Sequence, residues 1–284
     1  MSAAAEPFDR RRRRARRDRA AARIAAHGFL ADHIAAELLE RLEGVRRDFA
    51  RALIVGASPL LAGALGGRGI ACVTAEAGAR LAGAAHGVQC DEDRLPFADV
   101  SFDLVMSAGV LDGVNDLPGA LILMRRALRP DGLMLAGFAG AGSLPRLRAA
   151  MLAADLAIGG AAARLHPQVD VRGGGDLLGR AGFALPVADG ETLEVRYPSL
   201  TALVNDLRFS GGGAALADRA PPLTREQAAI AHATFLAGAD ADGRIAERFE
   251  IVYLTGWAPD PSQPRPAARG SGTASLARAL GSGR

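Results

Sequence analysis

Between residues 52 and 136, short apolar runs alternate with longer amphipathic stretches, and this alternation constrains the fold more than any other feature of the chain. The runs 52–55, 70–73, 88–90, 102–106 and 133–136 are too short for buried helices. Apart from Gln89 and Asp103 they are apolar throughout, as expected of strands covered on both faces. The segment 117–128 between the last two repeats its apolar residues at helical spacing, and Pro118 suits a first helical turn. Arg129-Pro130-Asp131-Gly132 then reads as a turn that returns the chain to the sheet. Strands alternating with helices predict an α/β fold, a mostly parallel sheet with helices on both faces.

The flanks follow other rules. Residues 15–43 read as helical, with apolar positions from Ile24 to Leu42 at spacings of three to five, and Gly28 divides the segment. After residue 142 helical patterns appear at 144–158, 176–181, 199–208 and 224–236, the last opening with the capping-box sequence Thr224-Arg225-Glu226-Gln227. Residues 192–197 and 249–254 read as strands. These patterns divide the chain into a basic N-terminal helical arm (1–46), a body with helical insertions after residue 142 (47–257) and a Pro/Gly-rich flexible tail (258–284).

Charge sharpens this division. The 34 basic residues are all Arg, so Schiff-base, P-loop and Ser–Lys chemistry are excluded. Residues 1–23 hold nine Arg against three acids, a balance of +6, whereas the rest holds 25 Arg against 28 acids, or −3. An acidic body with only 5% aromatic residues offers no broad nucleic-acid surface, so no nucleic-acid partner is expected. Cys72 and Cys90 lack metal or disulfide spacing, and the five His show no ligand spacing and read as surface or cap residues; no metal is expected. The longest uncharged stretch, 52–67, is shorter than the roughly 20 residues of a spanning helix. A soluble, reducing, cytoplasmic location follows as the expectation.

In open parallel sheets, ligands bind at the carboxyl ends of the strands. Four such ends carry candidate residues. Gly56 and Ala57 end the first strand, where a glycine lets a ligand approach the backbone. Glu76 ends the second, 20 residues beyond Gly56, where a carboxylate can accept both hydroxyls of a ribose. Asp91 and Glu92 follow the third and can accept from an adenine amine or from backbone amides. Ser107 ends the fourth, followed by the polar loop 111–116. Neither GxGxxG nor GxxxxGK[ST] is present, which disfavours dinucleotides and excludes a P-loop NTPase.

The run Asp91-Glu92-Asp93-Arg94-Leu95-Pro96-Phe97-Ala98-Asp99-Val100-Ser101-Phe102-Asp103-Leu104-Val105, with Leu128-Arg129-Pro130-Asp131-Gly132-Leu133, resembles the central signature of class I S-adenosylmethionine methyltransferases. Phe8-Asp9-Arg10, the run 114–121, Arg180-Ala181-Gly182-Phe183 and the late run Phe249 to Pro259 with Gly256-Trp257-Ala258-Pro259 narrow it. They resemble the bacterial relatives of mitochondrial complex I assembly factor 5, over nearly the whole chain.

The resemblance implies a Rossmann-like, seven-stranded sheet whose last two strands pair antiparallel. It implies S-adenosylmethionine as cofactor, with Gly56 and Ala57 at the methionine moiety, Glu76 at the ribose and Asp91 and Glu92 at the adenine. The implied function is methyl transfer of the type 11 kind, with a protein such as a respiratory complex I subunit as acceptor. The alternative is a non-catalytic or hydroxylating assembly-factor-like protein that keeps the fold. Two departures stand out. The first motif, Asp-x-Gly-x-Gly in the family, is here Ile54-Val55-Gly56-Ala57-Ser58. The fourth-strand loop, Leu-His-Trp-Val-Asn-Asp, is here Leu111-Asp112-Gly113-Val114-Asn115-Asp116, without the imidazole and the indole. No catalytic residue is assigned; Asp112, Asn115 and Asp116 either orient a substrate or cap the next helix. The basic arm is expected to meet a protein partner or close over the site, apart from the cofactor contacts.

Overall fold

The computed structural model describes residues 6–264. Seven strands form one sheet in the order β3-β2-β1-β4-β5-β7-β6. They are β1 (Arg51–Val55), β2 (Ala71–Glu76), β3 (Val88–Gln89), β4 (Phe102–Ala108), β5 (Leu128–Ala139), β6 (Ala184–Tyr197) and β7 (Ile245–Trp257). β1 to β5 run parallel, and β7 is antiparallel to both β5 and β6. This is the mostly parallel α/β architecture expected, with the implied antiparallel pair at one edge.

Burial on both faces explains the apolar runs of β1 and β4, whereas β3, at the edge of the sheet, is exposed where a buried strand was expected. In β1, Leu53 and Val55 pack on the side of α6 (Leu117–Ala127) and α8 (Val171–Ala181). Ala52 and Ile54 pack on the opposite side, under α3 (Phe29–Glu43) and α4 (Pro59–Gly67). Each fully buried Leu or Ile contributes about 1.5–3 kcal/mol. In α3, Ile34, Leu38 and Leu42 face the sheet, which accounts for their spacing. A third core joins α7 (Pro145–Leu156), α9 (Leu200–Phe209) and α10 (Arg225–Leu236) with the ends of β6 and β7. The Thr224–Gln227 capping box forms as the sequence indicates.

Two local expectations change. Arg129–Gly132 lies inside β5, as a bulge: Phe102 pairs with Leu128 while Leu104 pairs with Leu133. Asp131 takes a positive φ of 59° there, and its amide and the carbonyl of Gly132 are bonded by Ala258. Ala258 is therefore buried against the sheet, so the chain is still packed where the flexible tail was expected to begin. The remainder of that tail, 265–284, lies outside the described residues, as does the helical stretch expected at 276–280. The basic segment forms α1 (Arg10–Ala20), then the short α2 (Ile24–His27), with Gly28 between α2 and α3 as the sequence suggests. No helix among the described residues is long and apolar enough to cross a membrane.

Candidate functional site

The strand order reverses between β1 and β4, and a crevice opens at their carboxyl ends. Gly56 closes β1 with φ of 87°. A Cβ at that position would stand 2.6 Å from Cγ1 of Val110, so glycine is required both by the dihedral and by the space. Pro59 occupies the first turn of α4, where its missing N–H costs nothing, and Ser58 caps the helix by accepting from the amide of Leu61. Ile54, in place of the family acid, is fully buried under α3 and α4. Its turn-ordering role is taken by Glu76: Oε2 accepts the Ala57 amide at 2.8 Å and Oε1 the Gly78 amide at 2.8 Å.

The N-terminal arm lies across these strand ends. Arg17 donates from Nε to Oε1 of Glu76 at 2.7 Å and from Nη2 to Oε2 at 2.6 Å. Both side chains are buried, at 8% and 0% exposure. A carboxylate offers about four acceptor positions. On Glu76 Arg17 and two backbone amides fill all of them. One turn earlier, Arg13 forks onto both oxygens of Glu92 at 2.6 and 2.8 Å. Arg14 forks onto Asp91 at 3.0 and 2.6 Å. Arg10 reaches Asp93 at 2.6 and 2.7 Å and touches Asp91 at 3.2 Å. Asn115 fastens the start of the arm by accepting the Phe8 amide and donating to its carbonyl. Asp116 caps α6 through the Gly119 amide.

The arm closes over the strand ends, one of its two expected roles, and does so by pairing directly with the candidate carboxylates rather than standing clear of them. Glu76, Asp91 and Glu92 converge with Gly56 and Ala57 at one edge. Ser107 is fully buried below it, its hydroxyl donating to the Val55 carbonyl at 2.9 Å. Arg10, Arg13, Arg14 and Arg17 were not singled out. Their spacing of three and four, which puts one face of a helix opposite the acidic strand ends, is the signal that was available.

Burial by itself would raise the Glu76 carboxyl, but the Arg17 guanidinium and the two amides hold it below the ordinary range. At Asp91 and Asp93 burial likewise raises the carboxyl, but the arginines (Arg14 and Arg10 at Asp91, Arg10 at Asp93) outweigh it and hold both below the ordinary range. A carboxyl lowered in the docked state stabilises docking fully above its free value, and that contribution is lost as pH falls through the lowered value. Acidification to about pH 5 is thus expected to leave the arm docked, with release only well below the free carboxyl values near 4. Hydrogen-exchange protection of residues 10–20, corrected for intrinsic rates, measures this; loss of protection on going from neutral pH to about 5 would contradict it.

Behind Arg13 and Arg17 lies a cavity of about 1230 Å³. Ala57, Gly109 and Val110 form its floor at the strand ends, and α7 and α9 form its walls. His166 also lines it, stacked edge-on against Phe8 at 4.8 Å. A Cβ on Gly113, at the position of the missing family indole, would meet Arg13 at 3.1 Å and His166 at 3.8 Å. The guanidinium and the imidazole thus stand against the point from which a side chain here would extend. The lack of ligand spacing suggests a surface or cap residue at His166, and no local pattern marks it for the cavity. It is not placed as a general base, because its Nε2 accepts the Ala215 amide at 3.1 Å and its Nδ1 faces Asp112 at 3.5 Å.

Comparisons with known proteins agree with this fold. Residues 68–136 match the family model described as a methyltransferase domain. The chain is 36% identical over 193 residues to the mitochondrial arginine-hydroxylase NDUFAF5 of Danio rerio, covering 67% of this chain and 60% of that protein. It is 37% identical over 191 residues to the human protein of the same name, covering 66% of this chain and 55% of that one. It is 35% identical over 170 residues to the malonyl-[acyl-carrier protein] O-methyltransferase of Xylella fastidiosa, covering 60% and 56%. The chain thus spans little more than half the length of these relatives. The crystal structure of the YcgJ protein from Bacillus subtilis superposes with a TM-score of 0.55 at 16% identity, covering 80% of this chain and 99% of that one, a likeness of fold.

Proposed function

Because the chain is a class I S-adenosylmethionine methyltransferase-fold protein related to the mitochondrial arginine hydroxylases, we propose that it binds S-adenosylmethionine at the ends of β1 to β3 and transfers the methyl group to an acceptor seated in the adjoining cavity. The observation that carries the proposal is the pairing of Gly56 with Glu76. The glycine turn has no room for a side chain, and a buried carboxylate stands beside it at the next strand end. These residues fit the cofactor. Glu76 would accept the ribose hydroxyls, Asp91 and Glu92 would face the adenine, and the Gly56–Ala57 backbone would meet the methionine part; Ser107 supports the turn from below.

When bound, the cofactor supplies an electrophilic sulfonium methyl. Little acid–base help is then needed, since alignment of the acceptor in a walled cavity supplies most of the acceleration. The chain's own contribution begins with an exchange: Arg17 leaves Glu76 so that hydroxyls can take its place. Within the expected arm (1–46), α1 acts as the gate in this reading, whereas α3 packs into the core of the body (47–257). The arginine-hydroxylase name of the relatives suggests a protein partner, with a respiratory-complex subunit as the candidate. Cytoplasmic residence belongs to the same proposal, and the two free thiols, Cys72 and Cys90, suit a reducing compartment.

Titration tests it. At about 100 times its dissociation constant, S-adenosylmethionine is expected to add about 2.7 kcal/mol of stability, or about 5–10 °C in the melting midpoint. A second reading is favoured by the complete occupation of Glu76: a binding or assembly protein in which Arg17 permanently stands in for the ligand. Absence of both heat and melting shift would select that reading and overturn the first.

A further inference from the structure

The cavity beside the cofactor site has an unbalanced charge. Eight arginines line it against a single acid, Asp112. Arg13, Arg17 and Arg164 are paired with Glu92, Glu76 and Asp155. Arg16 and Arg19 of α1, Arg23, Arg208 at the end of α9 and Arg219 have no carboxylate partner among the described residues. Arg23 instead lies over the Phe209 ring at 4.3 Å, and Arg19 donates to the carbonyl of Ala15. Nearby acids are engaged elsewhere: Asp206 with His27 and Tyr197, and Asp18 with the Arg80 amide. Burial and the like charges of Arg12, Arg19, Arg208 and Arg219 pull the Arg16 guanidinium below its usual value. Guanidiniums from two helices and a loop, gathered at one mouth with no counter-charge of their own, form an anion site. The inner wall is different in kind: Leu144, Leu147, Met151, Leu200 and Val204 are apolar.

We propose that this cavity takes an acceptor with an apolar arm and an anionic end, a phosphate or a carboxylate, and that Arg16, Arg19, Arg208 and Arg219 hold the anionic end at its mouth. The proposal deepens the reading of the cavity as the acceptor chamber, on which it rests. A guanidinium acceptor would enter among like charges, so the cavity disfavours an arginine side chain as the group that is modified.

Calorimetric titration of the full chain without cofactor tests the proposal separately from cofactor binding. Hexyl phosphate and hexanoate are the anionic probes; hexylammonium, hexanol and inorganic phosphate are the comparisons. Saturable binding is expected for at least one anionic probe, at least tenfold tighter than for any comparison. The stronger of the two tells whether phosphate or carboxylate is the natural end. In the double variant Arg208→Ala/Arg219→Ala the preferred probe should bind at least tenfold more weakly with an unchanged melting midpoint, and Arg208→Lys/Arg219→Lys should keep part of the affinity. Equal binding of hexyl phosphate, hexylammonium and hexanol, inorganic phosphate binding as tightly as hexyl phosphate, no saturable binding of either anion, or a double variant that binds like the parent would each overturn the proposal. Because cofactor is absent throughout, these outcomes stand whether or not S-adenosylmethionine binds.

Discussion

Replacing Arg17 by alanine is expected to tighten S-adenosylmethionine binding about ten- to a hundredfold. In the docked arm, Arg17 holds both oxygens of Glu76, the positions that the ribose hydroxyls would take in the proposed cofactor complex. A hydrogen bond to a charged group contributes about 1.5–3 kcal/mol net, and each 1.4 kcal/mol is about tenfold in affinity. With Arg17 gone, Glu76 keeps the amides of Ala57 and Gly78, so the turn stays ordered while two acceptor positions fall open. Glu76→Ala should act in the opposite sense. It strands the buried Arg17 guanidinium and orphans two amides, costing about 3–5 kcal/mol of stability, and it removes the proposed ribose contact. Arg12→Ala is the control: Arg12 is tied to Asp9 and to the Leu216 carbonyl, away from the carboxylates, and its loss should leave affinity within about threefold. Calorimetry on the three variants decides. Weaker binding in Arg17→Ala would make Arg17 a cofactor contact, and unchanged binding would mean that the arm is already undocked in solution.

Gly56→Ala is expected to destabilise the protein by about 2–5 kcal/mol and to abolish cofactor binding. Two costs combine. The left-handed backbone at Gly56 is penalised by about 1–2 kcal/mol once a Cβ is present. That Cβ would also lie 2.6 and 2.8 Å from the two methyls of Val110, an overpacking worth about 1–3 kcal/mol. The terms can be separated with Val110→Ala. The double variant Gly56→Ala/Val110→Ala has room for the new methyl but keeps the dihedral strain, so it should carry a smaller penalty than the two single losses added together. Denaturant midpoints measure this, and strict additivity would show that Val110 yields freely to the added methyl.

The arm contributes to two properties at once. Its arginines neutralise carboxylates that would otherwise repel one another at adjacent strand ends, and they keep those carboxylates from a ligand. Any partner that competes for Arg10, Arg13 and Arg14 would weaken the arm's hold on the edge and ease the departure of Arg17. In the proposed reading, an acidic group at the cavity mouth would act on the same helix through Arg16 and Arg19 and so couple acceptor binding to the position of the arm.

Much of the fold was legible because it is local. The apolar runs of β1 and β4, the period of α6, Pro118 at its start and the Thr224 capping box each state their structure within a dozen residues. Strand-end logic then pointed to Gly56, Glu76, Asp91 and Glu92. The bulge at Arg129–Gly132 was less legible: its residues favour a turn in isolation, and only the ladder to β4 and the clamp by Ala258 hold it inside a strand.

The sequence by itself determined the layers of the sheet, the glycine turn and the carboxylates beside it, since hydrophobic period and turn chemistry act between near neighbours. The tertiary structure alone decided what those carboxylates hold. The pairs Arg17–Glu76 and Arg10–Asp93 join residues 59 and 83 positions apart, and the His166 ring that stands against Gly113 comes from a loop beyond β5. Coulomb attraction and packing act through space, so a +6 arm and an acidic edge announce only that they are complementary. Which guanidinium reaches which carboxylate, and whether the site stands open or closed, is set once the chain has brought them together.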